Sequence, residues 1–127
     1  MGHLIKLKLN DFIVFELSNN RYLQFARVVM RGFEDQVLWG ETSGALEDGG
    51  TADLDFEQQQ QILDLGWSPP DGLSEFPNYQ MVWQRDDGKA WIKKSDAKDA
   101  ADVACQTLRG PLRVMSPGRV TVTEGHM

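Results

Sequence analysis

The run Asp55-Phe56-Glu57-Gln58-Gln59-Gln60-Gln61-Ile62-Leu63-Asp64-Leu65-Gly66-Trp67-Ser68-Pro69-Pro70 limits what this chain can fold into more than any other stretch. Asp55 reads as an N-cap, and Gln58 stands three residues on, the spacing at which a side chain returns a hydrogen bond to the cap. Phe56 and Leu63 lie seven apart, and Ile62 and Leu65 flank the same stripe. One face of a short helix is therefore apolar, while Glu57 and the glutamines face water. Gly66 can take the left-handed conformation that closes a helix, and Pro69-Pro70 cannot extend one. The spacing predicts a helix that ends at Leu65 or Gly66, followed by a loop that delivers an aromatic strand.

That strand runs from Asn78 to Gln84, with Tyr79, Met81 and Trp83 alternating against Gln80, Val82 and Gln84. Arg85-Asp86-Asp87-Gly88-Lys89 offers Asp-Gly turn chemistry before Ala90-Trp91-Ile92, so a second hairpin is expected there. Upstream, Phe12 to Leu17 is rich in β-branched and aromatic residues and stops at Ser18-Asn19-Asn20, where asparagine tolerates positive φ. The next strand, Arg21 to Met30, puts Leu23, Phe25, Arg27 and Val29 on one side and Tyr22, Gln24, Ala26, Val28 and Met30 on the other. Burial is expected for the first side, with Arg27 at its rim. After a turn at Arg31 to Asp35, Gln36 to Thr42 makes a third strand, and the three form an antiparallel meander. The glycine-rich stretch Gly44 to Thr51 has no lysine or arginine to meet a phosphate and reads as a linker.

Near the other end, Ser95 is expected to cap a helix through Leu108, with Ala97, Ala100, Ala101, Ala104 and Leu108 as one stripe, closed by Gly110-Pro111. Val120-Thr121-Val122 reads as an extended tail. Met1-Gly2-His3 and Gly125-His126-Met127 read as tag remnants and carry no functional argument.

A chain of 127 residues fits one domain, 1–127, large enough to bury a core without staples. Its 41% hydrophobic and 25% charged content is that of an ordinary globular protein, and no apolar run has the length of about 18 residues that spans a bilayer. A single cysteine excludes an internal disulfide and fits a reducing compartment, so a cytoplasmic protein with no membrane contact is expected. Nineteen acidic residues against thirteen basic give a net charge of −6, which repels phosphate backbones and argues against nucleic acid as a partner.

Catalysis is poorly supplied. The two histidines, His3 and His126, sit at the chain ends, which removes triads and most zinc sites. Cys105 falls on or beside the buried stripe of its helix and reads as a small core residue. Asp53 with Asp55, and Asp86 with Asp87, stand where caps and turns favour aspartate, and neither pair makes a calcium loop. No catalytic residue, metal or cofactor is expected. What remains unusual is aromatic: Trp39, Trp67, Trp83 and Trp91 with Tyr22 and Tyr79. Helices on one side of a sheet leave its other face open, and tyrosine, tryptophan and methionine on an open face are what interfaces use. Tyr22, Gln24, Met30 and Trp39 are the candidate partner-binding residues, with Leu38 taking the place of Trp39 if the register is the other one.

The string Leu63-Asp64-Leu65-Gly66-Trp67-Ser68-Pro69-Pro70, with Asn78-Tyr79 and Trp83 after it, Tyr22-Leu23-Gln24-Phe25-Ala26 before it and Thr107-Leu108-Arg109 near the end, resembles the actinobacterial TY-Chap domains. Those are relatives of YbjN-like and type III secretion chaperone-like proteins. The resemblance covers about Phe12 to Pro117, and in it Gly66, Trp67, Pro69, Asn78, Tyr79 and Trp83 form a structural motif. It implies a non-enzymatic, chaperone-like module that binds another polypeptide and pairs as a homodimer. It also implies a helix before the first strand, which is short or missing in this chain. The expected architecture is α+β: an antiparallel sheet of about five strands with two main helices packed on it. The rival readings are a regulatory module with a small-ligand pocket near Trp67 and Tyr79, and an enzyme of unrecognised type.

Overall fold

Five strands form one antiparallel sheet in the order β4-β3-β2-β1-β5 in a computed structural model that describes residues 7–17, 20–29, 36–45, 50, 52–70, 78–84, 92, 94–114 and 120–126. In chain order the elements are β1 (Asp11–Leu17), β2 (Tyr22–Val29), β3 (Gln36–Thr42), α1 (Phe56–Asp64), β4 (Tyr79–Gln84), α2 (Lys94–Arg109) and β5 (Val120–His126). The meander predicted for the first half is present, with Phe15 opposite Leu23 and Phe25 opposite Gly40. Asn20 turns the chain into β2 with φ +59°.

The α1 helix begins as its sequence dictates. The Asp55 carboxylate accepts the Gln58 N–H at 2.8 Å, and the Gln58 side chain accepts the Asp55 N–H at 2.9 Å, a reciprocal cap that satisfies two orphan donors. Leu65 is the C-cap and Gly66 follows with φ +102°. The buried face differs from the predicted stripe. Phe56 is 76% exposed, whereas Gln58 is buried, because its Nε2 donates to the Pro111 carbonyl at 2.9 Å. A long-range polar contact claims the position that periodicity assigned to water.

Both helices contribute to one core with Ile13, Phe15, Leu23, Phe25, Leu38, Tyr79 and Trp83 of the sheet. Ile62 comes from α1, and Ala97, Ala100, Val103 and Ala104 come from α2. Small residues let α2 lie close, and two tryptophans tie it to the core: Trp67 Nε1 donates to Thr107 Oγ1 at 3.0 Å and Trp83 Nε1 to Asp99 Oδ2 at 2.9 Å. The helix starts at Lys94, so Ser95 lies in its first turn instead of capping it. Cys105, expected in the core, is exposed, because the buried side of α2 runs through Ala100, Ala104 and Thr107.

Gly40 marks where three rings converge. A Cβ built there would lie 3.2 Å from Phe25, Trp67 and Trp83 alike. These rings pack against one another and cannot all retreat, so Gly40→Val is expected to cost at least about 2 kcal/mol by overpacking. A urea midpoint unchanged by Gly40→Val would show that the cluster yields.

The fifth strand is not the one expected. The turn at 85–89 and Trp91 lie outside the described residues, and Ile92 is a buried bend just before α2. The sheet is instead completed by Val120–His126, which pairs with β1 from Leu17↔Val120 to Asp11↔His126. Gly125 and His126, set aside as tag sequence, are part of this strand, and His126 Nδ1 lies 2.8 Å from Asp11 Oδ1. The expected shortening of a helix before β1 falls on residues 1–6, outside the described ones.

Candidate functional site

Strand parity sorts the candidates. Tyr22, Gln24 and Ala26 on β2 face away from the helices, and the register sets Ala26 beside Trp39 and Gln24 beside Glu41. Phe12, Val14 and Glu16 of β1 and Gln80 and Val82 of β4 share this open face. Across it runs an apolar line, Phe12-Ala26-Trp39-Val82, one residue from each of four strands. Trp39 is half-buried, and its Nε1 is enclosed without a hydrogen-bond partner. Met30 lies outside the described residues.

Next to that line the face dips into a groove of about 460 Å³. Val14, Glu16, Leu17, Tyr22, Gln24 and Glu41 line it from the strands, and Asn20 and Arg21 line it from the β1–β2 turn. Tyr22 is held firmly. Its N–H donates to Ser43 Oγ at 2.7 Å, and its carbonyl accepts from Thr42 Oγ1 at 2.8 Å and from the Ser43 N–H at 3.2 Å. The Tyr22 hydroxyl donates to Glu41 Oε1, which also receives Asn78 Nδ2 at 3.4 Å. Asn78 in turn accepts the Gly44 N–H at 2.9 Å, so the linker after β3 steadies the same network.

Of the four predicted partner-binding residues, the structure therefore places Tyr22 and Gln24 in the groove and Trp39 beside it. Glu41 was missed. The signal was available, since Glu41 shares parity with Trp39, but its burial depends on Asn78 from a distant loop. The residues of the structural motif lie elsewhere. Trp67, Tyr79 and Trp83 are core, Asn78 supports Glu41, and Gly66 and Pro69 are exposed at the α1 exit. Trp67 and Tyr79 are each 2% exposed, so both rings are packed in the core.

Burial raises the Glu41 carboxyl above its ordinary value, partly offset by the Tyr22 hydrogen bond. Burial and the adjacent Glu41 push the Tyr22 phenol up as well. A carboxyl raised by folding stabilises the fold fully below its unfolded value, near 4.5, and that contribution is lost as pH rises through the folded value. Asp11 has the opposite sign: hydrogen bonds from His126 and from the Lys8 N–H lower it, so its contribution holds at neutral pH and is lost as pH falls through its lowered value. Glu41→Gln is accordingly expected to compare better with the parent at pH 7 than at pH 4. Melts at the two pH values check this, and an equal difference at both would contradict it.

Among the described residues no group of three or more His, Cys, Asp or Glu could hold a metal ion, and no helix is long and apolar enough to cross a membrane. A family model described as T3SS (YopN, CesT) and YbjN peptide-binding chaperone 3, or TY-Chap3, matches residues 1–126. Nothing matches among the curated proteins or among the solved structures.

Proposed function

The chain belongs to the TY-Chap3 family of peptide-binding chaperones, and from that premise we propose that it is a non-enzymatic module that holds an extended segment of another polypeptide on the open face of its sheet. The observation that carries this reading is the face itself. An apolar line that includes a half-buried tryptophan borders a groove whose tyrosine backbone is held by hydrogen bonds with Thr42 and Ser43. Rigid aromatic anchors beside polar groups are what recognition of a polypeptide uses. The net charge of −6 favours a client that is not acidic and disfavours nucleic acid. A free, exposed cysteine fits a reducing compartment, and we place the protein in the cytoplasm, away from membranes.

We also propose a homodimer, formed at the outer edge of β5, so that self-pairing and client binding use different surfaces. Among the described residues β5 pairs on one side alone, and most of its side chains are exposed. A bare seven-residue edge is a template for an added strand.

The client reading is tested by affinity capture from the native host with mass spectrometry, using the parent and Gln24→Arg. Arginine at 24 stands beside Glu41 and fills the groove from within. The parent is expected to retain a polypeptide in stoichiometric amount, and Gln24→Arg to weaken that binding at least about tenfold, or 1.4 kcal/mol. An empty parent bait, or equal retention by both, would remove the support for this face.

A further inference from the structure

Among the described residues Glu41 is a buried carboxylate without a counter-ion. Only 7% of the residue is exposed, and both hydrogen bonds that reach its side chain, from Tyr22 and Asn78, are neutral and fall on Oε1. No described residue donates to Oε2, although Glu41 lines the groove. Keeping a carboxylate out of water costs roughly several kcal/mol unless a positive charge compensates. Arg21 lines the same groove but makes no hydrogen bond or ion pair to Glu41: its Nη2 donates to the Asp53 carbonyl at 2.8 Å and its Nε is enclosed away from the carboxylate.

The rest of the groove suits what Oε2 lacks. Glu16 and Glu41 stand on the strands that flank β2, two strand spacings across and two residues along, roughly 12 Å apart, with Tyr22 and Gln24 between them. Val14 gives the wall an apolar surface. We infer that this groove binds the side chain of an arginine carried by an extended client, with Glu41 as its counter-ion, an inference that rests on the polypeptide-binding reading above. The methylene stem lies along Val14, the guanidinium meets Glu41 Oε2 and the Gln24 amide, and the Tyr22 ring offers a face to the cation. Lysine fits the charge but not the planar fork, so it binds more weakly. A volume of about 460 Å³ exceeds one side chain and leaves room for the client residues on either side. The protein's net negative charge draws basic segments to it.

The test presents the full chain with an unbiased array of short unstructured peptides, then titrates the best binders with each arginine replaced by citrulline, which keeps the shape and removes the charge. Binders are expected to be enriched in arginine, and citrulline to weaken them at least about tenfold, or 1.4 kcal/mol. Glu41→Gln, which preserves shape and the acceptor for Tyr22, is expected to bind the arginine and citrulline forms alike. Glu16→Gln, at an exposed position, is expected to lose only a few-fold of the discrimination. Binders without a basic preference, or discrimination undiminished in Glu41→Gln, would overturn the role of Glu41 and leave the polypeptide-binding reading standing. An array with no binders would overturn both.

Discussion

Trp67→Ala is expected to cost about 3–5 kcal/mol, the largest loss from a single substitution outside the sheet. The ring is 2% exposed and is aimed into the core by the chain on both sides of it. Before it, Gly66 reverses direction with φ +102° while its N–H closes on the Leu63 carbonyl at 3.0 Å. After it, Ser68 and Gln80 exchange two backbone hydrogen bonds, at 2.8 and 3.2 Å, which fix the loop to β4. The loop cannot follow a shortened side chain inward, so most of the ring's volume would remain as a cavity beside Gly40, Phe25 and Trp83. Thr107 loses a donor but still gives its own hydrogen to the Val103 carbonyl at 2.6 Å, so the cost is mainly packing. A domain of this size has about 5–15 kcal/mol of stability in total, so the variant should be partly unfolded at growth temperature. Trp67→Phe keeps most of the volume and should lose far less. Urea unfolding of the three proteins decides it, and a midpoint that Trp67→Ala leaves unmoved would place the ring outside the energetic core.

What could be read from the sequence was what local chemistry decides. The Asp55–Gln58 reciprocal cap, the Gly66 reversal, the meander and the alanine stripe of α2 all depend on residues within a few positions of one another, and each is present. The errors share a cause as well. Gln58 reads as a water-facing residue because nothing nearby reveals that Pro111 will need a donor. Val120-Thr121-Val122 reads as a tail, and Gly125-His126 as tag sequence, because a strand so exposed is recognised only by its partner, and that partner, β1, lies at the other end of the chain. Strand parity puts Tyr22 and Gln24 on the face away from the helices, and the β2–β3 register adds Trp39 to them. Glu41 obeys the same parity, but its enclosure is completed by Asn78, 37 residues away, and no periodicity reports such a contact.

The same parity yields the sharpest expectation about assembly: the chain should sediment as a dimer, and Val122→Pro should convert it to a monomer without unfolding it. Leu17 donates its N–H to Arg21, so the odd-numbered residues of β1 point their backbone groups at β2 and the even-numbered ones point theirs at β5. Val14 and Glu16 therefore bond Thr123 and Thr121, which leaves the N–H and C=O of Val122 and Glu124 on the outer edge. Proline at 122 removes an outward donor and no bond to β1, so the sheet survives while strand addition is blocked. The Val122 side chain is 52% exposed and would be covered when a second β5 docks antiparallel about a two-fold axis. That axis also brings together two chains of charge −6, so the repulsion must be outweighed by the new ladder, and screening it with salt should tighten the dimer. Sedimentation of the parent and of Val122→Pro at low and high salt reads out all of this. A parent that stays monomeric at high concentration in both salts would overturn the dimer, and a proline variant that remains dimeric would move the self-association away from β5.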